Sequence, residues 1–113
     1  MRVVLVEDDE ITRGIVETAL REQEIEVRSF TSGDEAVAIL DDGIEADLLI
    51  TDINLPGEMD GWAVAHLYRD EFPKLPVIYI TATRELTDHV TKSVYLRKPV
   101  KLKLLLQAVS AFA

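Results

Sequence analysis

The hydrophobic pattern switches repeatedly between short apolar runs and longer stretches with helical spacing. Val3-Val4-Leu5-Val6 is an unbroken apolar run that stops in acids, as a parallel strand covered on both faces does. Ile11, Ile15, Val16, Ala19 and Leu20 then recur at helical spacing and predict one apolar helix face. Residues 25–30 read as a second strand. Ser32-Gly33-Asp34 opens a second helix carrying Ala36, Val37, Ile39 and Leu40, which Asp41-Asp42-Gly43 stops. Residues 47–52, DLLITD, form the third strand, and Leu55-Pro56-Gly57 breaks the chain into a loop. A helix over 61–71 ends before Pro73. Residues 77–81 and 94–97 are strands four and five, and 100–112 is a last helix. Between Thr81 and Lys98 there is room only for a short, marginal fourth helix within 84–91. Leu86 and Val90 alone share an apolar face there, and β-branched Thr87, Val90 and Thr91 lower its propensity.

Five β–α units without repeats or linkers imply one α/β domain over 1–113, a parallel sheet covered by helices on both faces. Such sheets bind ligands at the carboxyl ends of their strands. With 48% hydrophobic residues the chain can build a real core. It has no cysteine, so disulfides and thiolate metal sites are excluded. No apolar run approaches the ~20 residues that span a bilayer, and the expected location is cytoplasmic, away from membranes. The net charge of −9 argues against direct nucleic-acid binding. Residues 1–60 hold 17 acids against 4 bases, whereas 61–113 hold 4 acids against 8 bases. That asymmetry fits an acidic site and a basic docking face elsewhere.

The strand ends supply the candidate chemistry. Strand one ends in Glu7-Asp8-Asp9, strand three in Asp52, strand four in Thr81-Ala82 and strand five in Lys98-Pro99. Carboxylates gathered at one sheet edge repel: two unit charges 4 Å apart cost about 4 kcal/mol at an effective dielectric of 20. A hard divalent cation with oxygen ligands offsets this, and Mg²⁺ is the natural choice. Lys98 adds a mobile positive charge. An incoming phosphoryl group would meet the metal, the Lys98 ammonium and the Thr81 hydroxyl, while Asp52 attacks in line.

In the order and register of these residues the chain resembles a response-regulator receiver domain of two-component signalling, over essentially its whole length. The resemblance implies a flavodoxin-like, doubly wound sheet of order 2-1-3-4-5 and a phosphoacceptor at Asp52. It implies Glu7 and Asp8 as the acidic pair, with Asp8 the direct Mg²⁺ ligand and Asp9 as a competitor that instead caps the next helix. Asn54 would give its backbone carbonyl to the metal. Thr81 matches the switch hydroxyl, Tyr95 the aromatic that turns inward with it, and Lys98 the phosphate-pairing lysine before a cis proline. The partners implied are a sensor histidine kinase or histidine phosphotransferase and a downstream protein target. Two departures stand out: the loop after Asp52 is one residue longer than the common pattern, and the interval from Thr81 to Lys98 is shorter, as in receivers with a short fourth helix.

Three other readings compete. A nucleotide- or flavin-binding domain needs a phosphate loop after strand one, where this chain has Glu7-Asp8-Asp9-Glu10. An aspartyl-nucleophile hydrolase needs a second acid two residues after Asp52, where Asn54 stands. A degenerate receiver that binds partners without phosphorylation would not require Asp8, Asp52, Thr81 and Lys98 together. The expectation is therefore a non-enzyme that catalyses only its own phosphorylation and dephosphorylation. The chain ends about where the last helix should, as a stand-alone receiver or a fragment would. That helix carries Leu102, Leu105, Leu106 and Val109 on one face with Leu104 and Ala108 beside them, a stripe broad enough to predict self-association as a homodimer.

Overall fold

The computed structural model describes residues 1–82 and 87–113. Five strands, β1 (Arg2–Val6), β2 (Glu26–Phe30), β3 (Leu48–Asp52), β4 (Val77–Thr81) and β5 (Ser93–Arg97), form one parallel sheet. Their order is β2-β1-β3-β4-β5, as the resemblance implied. Among the described residues four α-helices accompany them: α1 (Glu10–Glu22), α2 (Gly33–Ala38), α3 (Gly61–Glu71) and α4 (Leu102–Phe112). Among the described residues no helix is long and apolar enough to cross a membrane.

Alternation along the strands sends side chains to two separate cores. Val3, Leu5, Leu48, Ile50, Ile78 and Ile80 pack with Val16 and Leu20 of α1 and Leu105 and Val109 of α4. Val4, Val6, Leu49, Val77 and Tyr79 face the other way, onto Ala36 of α2 and Val64, Ala65 and Tyr68 of α3. The three inner strands are therefore buried along their length apart from Arg2, whereas the edge strands β2 and β5 are at most half buried.

Several elements differ from the sequence-based expectation. The second helix gives way after Ala38 to a 3-10 turn (Ile39–Asp42) that Gly43 closes in the left-handed conformation. On α1, Val16, Ala19 and Leu20 are buried, but Ile11 and Ile15 are 74% and 44% exposed and do not join the core. The broad stripe on α4 divides similarly: Leu105 and Val109 are buried, while Leu102 and Leu104 face solvent.

Of the short helix expected within 84–91, Arg84, Glu85 and Leu86 lie outside the described residues, and the part from Thr87 onward is not helical. The Val90 amide donates to the Tyr79 hydroxyl at 3.1 Å. Side chains of α3 also hold this segment. His66 Nε2 lies 3.0 Å from the Asp88 carbonyl, and Arg69 donates to the Thr91 hydroxyl and carbonyl. Packing against α3 thus replaces the internal bonds of a helix.

Candidate functional site

At the carboxyl edge of the sheet, β1, β3 and β4 end side by side and deliver Glu7, Asp52 and Thr81 to one place. Glu7 is fully buried, Asp52 is 4% exposed and Thr81 2%. Buried charge requires a partner, and Lys98 supplies it. Its ammonium lies 2.7 Å from Asp52 Oδ2 and 2.8 Å from Glu7 Oε1. The Lys98 amide donates to the Thr81 carbonyl at 2.9 Å, which fixes the lysine beside the end of β4. The Lys98–Pro99 peptide is cis.

The second Asp52 oxygen is held as well, since Oδ1 accepts from the Asn54 amide at 3.0 Å. Helix α3 begins hard against the phosphoacceptor candidate. A Cβ on Gly61 would lie 2.0 Å from the Asp52 carbonyl oxygen, so only glycine permits this approach. The Asp60 side chain caps the helix by accepting from the Ala63 amide.

Asp8 is exposed and projects into the same cluster. Carboxylate oxygens of Glu7, Asp8 and Asp52 all lie within 4.8 Å of one another. Two oxygens on one octahedral Mg²⁺ can be at most about 4.2 Å apart, so a small closure brings this set onto a single ion. Glu7 Oε1 is buried and faces the Lys98 ammonium at 2.8 Å, a single cation that it shares with Asp52. The residues present therefore fit a hard divalent cation.

Asp9 does not belong to this cluster. Its carboxylate accepts from the Thr12 amide at 2.9 Å and from the Thr12 hydroxyl, which caps α1 and holds its pKa below the usual value. One of its oxygens, Oδ2, is thus taken up by the helix cap, whereas the grouped oxygens come from Glu7, Asp8 and Asp52.

Electrostatics mark the pocket as strained without a metal. Burial pushes Glu7 from 4.5 up to about 7, the Lys98 contact opposes this, and the Asp52 charge adds to it. Burial works against the Lys98 ammonium, but its bonds to Asp52 and Glu7 outweigh it and raise its pKa above 10.5. Tyr95 lies one layer away, half-buried, with its ring stacked on Tyr79 at 5.2 Å and its hydroxyl buried with no hydrogen-bond partner. Trp62 of α3 closes the group 4.9 Å from the Tyr79 ring. Asn54 is exposed at the mouth of the site.

The family model of the response regulator receiver domain matches residues 3–110. The chain belongs to that family. It is 30% identical over 113 residues to the heme response regulator HssR of Staphylococcus epidermidis, covering 96% of this chain and 49% of that protein. It is 37% identical over 84 residues to the DNA-binding transcriptional regulator NtrC of Salmonella typhimurium, covering 74% of this chain and 18% of the relative. The receiver thus spans half or less of these curated relatives. Among solved structures, a response regulator receiver protein from Sinorhizobium medicae superposes with a TM-score of 0.93 at 30% identity, covering 99% of this chain and 93% of that one. The receiver domain of Saccharomyces cerevisiae Ssk1, crystallised with the histidine phosphotransfer protein Ypd1, is similar with a TM-score of 0.82 and 26% identity, covering 99% of this chain and 88% of that one. The fold and the receiver class within two-component signalling follow from these matches.

Proposed function

We propose that this receiver is a phosphorelay switch that takes a phosphoryl group onto Asp52 in a Mg²⁺-dependent reaction and then changes its partner binding. The observation that carries the proposal is the Lys98 ammonium held between Asp52 and the buried Glu7, with Asp8 completing the oxygen cluster. An Asp52 oxygen forms the new bond to phosphorus as the bond from phosphorus to the donor breaks. With a phosphohistidine donor the leaving imidazole nitrogen takes up a proton. Lys98 follows the charge from the Asp52 carboxylate to the phosphoryl oxygens, and the Thr81 hydroxyl, at the end of β4, turns toward them. Asp8, Asp52 and the Asn54 carbonyl would hold Mg²⁺, with Glu7 behind them; bound there, the ion offsets the carboxylate charge and stabilises the transferring group. The chain acts only on its own phosphorylation state, not as an enzyme on a separate substrate.

The donor is a sensor histidine kinase or a histidine phosphotransferase, a reading supported by the likeness to the Ssk1 receiver seen with Ypd1. Exposed Ile11, Ile15 and Leu102 border one shallow cavity whose lining begins at Glu10, two residues after Asp8, an apolar surface suited to a helical donor. Output runs through Thr81 and Tyr95. The ring of Tyr95 is turned inward onto Tyr79 while its hydroxyl has no hydrogen bond to keep it there, so movement of Thr81 can shift it. A downstream protein, or a second copy of the chain, would then read the β5–α4 side, where Val94 and Leu104 are exposed.

Intact mass after incubation with Mg²⁺ and a small phosphodonor tests the proposal. Wild type should gain one phosphoryl group, and Asp52→Asn, or wild type in excess chelator, should gain none. An unlabelled wild type would favour a phosphorylation-independent binding module instead.

A further inference from the structure

The loop from Asn54 to Asp60 joins the phosphoacceptor candidate to α3, and it is the loop whose extra residue sets this chain apart. Its two ends are fixed locally, by the Asn54 amide on Asp52 and by the Asp60 cap on α3. Its middle is fixed from a distance. Asp34, the second residue of α2, accepts from the Met59 amide at 3.0 Å across 25 residues of sequence. The same carboxylate lies flat against Gly57, where an added Cβ would meet its two oxygens at 3.0 and 3.1 Å. Gly57 has φ +88, so this seat requires glycine for its backbone as well as for its space.

Beyond the general preference for acids in a first helical turn, no other contact accounts for Asp34. Helix α2 is already capped by Ser32, whose hydroxyl accepts from the Glu35 amide at 3.2 Å. Among the described residues no cation pairs with the Asp34 carboxylate, and no other distant side chain hydrogen-bonds to the 54–60 loop.

We infer that Asp34 is a positioning residue for the phosphoacceptor site: it clamps the middle of this loop so that Asp52 and the Asn54 carbonyl keep one geometry toward the metal. This rests on the phosphoacceptor reading above. A bond from an amide to a carboxylate is stronger than a neutral one, and here it also restrains a seven-residue connection that would otherwise sample many conformations. Asp34 touches neither the metal oxygens nor the phosphoryl site, so its action runs entirely through Met59 and Gly57.

The test compares wild type with Asp34→Ala and Asp34→Asn, whose amide oxygen can still accept from Met59. Calorimetric titration with Mg²⁺ should show binding weakened about tenfold in Asp34→Ala, the range for lost supporting contacts, and nearly unchanged in Asp34→Asn. Asp52 labelling by a small phosphodonor should slow in Asp34→Ala at low Mg²⁺ and recover at saturating Mg²⁺. A purely structural role would lower the melting temperature without that recovery. Equal Mg²⁺ affinity in wild type and Asp34→Ala overturns the inference, as does an equal loss in Asp34→Asn. If wild type itself neither binds Mg²⁺ nor takes label, the phosphoacceptor reading fails, and amide exchange then decides on the clamp. Met59 and Asn54 amides that exchange about tenfold faster in Asp34→Ala but not in Asp34→Asn uphold it, and unchanged exchange overturns it.

Discussion

The two ends of the sheet carry the same motif in opposite settings. At the carboxyl end, Lys98 sits between Glu7 and Asp52, with side chains 23%, 0% and 6% exposed. At the amino end, Arg2 sits between Glu26 and Glu45, all three more than half exposed, while its backbone amide donates to Asp47 at 2.7 Å. One cation faces several carboxylates in each case. In the open cluster water solvates every charge, and such pairs contribute about 0–1 kcal/mol. In the closed one each charge depends on the others, and the carboxylates outnumber the cation. Burial rather than charge count sets the carboxyl end apart, because a deficit of positive charge there must be met by a metal ion or by a proton on Glu7.

The sharpest way to break the comparison is to remove each cation in turn. Lys98→Met leaves Glu7 and Asp52 facing each other without compensation. Loss of one partner from a buried pair typically costs 3–5 kcal/mol, and the lower end, about 3 kcal/mol, is expected here because Glu7 can take up a proton. Mg²⁺ should restore much of that stability by supplying the missing charge. Urea denaturation with and without Mg²⁺ gives both values, and a midpoint equal to that of wild type in both conditions would show that the cluster is not strained.

A smaller effect should appear as a pH dependence of the metal-free protein. Glu7 holds its proton in the folded state up to about pH 7, whereas its ordinary value is 4.5. The folded state therefore binds more protons than the unfolded chain between these values, and stability falls as pH rises from about 4.5 to 7. Lys98, raised above 10.5, acts in the same direction but in a higher window: its contribution is complete below that value and is lost as pH climbs through the folded pKa. Thermal melts from pH 4.5 to 7.5 should show wild type declining relative to Glu7→Gln, which has no proton to lose. Parallel curves for the two proteins would remove burial of Glu7 as the cause.

What the sequence made legible follows the same division. The apolar runs of β1, β3 and β4 are buried on both faces, so composition alone marks them, and the strand-end rule then places Glu7, Asp8, Asp52, Thr81 and Lys98 at one edge. Surface detail was harder to read. Ile11 and Ile15 share the helical period of Val16 and Leu20, and periodicity cannot tell which part of an apolar stripe the sheet covers. Thr87 to Thr91 is shaped by His66, Arg69 and Tyr79, all distant in sequence. The link from Asp34 to Met59 gives no local signal, because an acid in the first turn of a helix is already explained by the helix dipole. Asp9 was legible only as a choice between two roles, and its Thr12 contacts resolve it.

The smallest effect is expected at the amino end, with Arg2→Ala. This substitution removes the contacts to Glu26 and Glu45 but leaves the backbone bond to Asp47, since any residue except proline retains that amide. Both acids are about 70% exposed and can return to water without a desolvation cost. The loss should stay below about 1 kcal/mol and shrink further in 0.5 M salt, where screening reaches only a few ångströms. Asp52 labelling should not change, because the whole length of the sheet separates the two clusters. Net charge becomes one unit more negative than −9, a small general penalty that salt also suppresses. Paired urea titrations at low and high salt are the measurement. A loss above 2 kcal/mol that persists in salt would mean that the exposed cluster holds the sheet as firmly as the buried one, and the contrast between the two ends would then rest on chemistry alone.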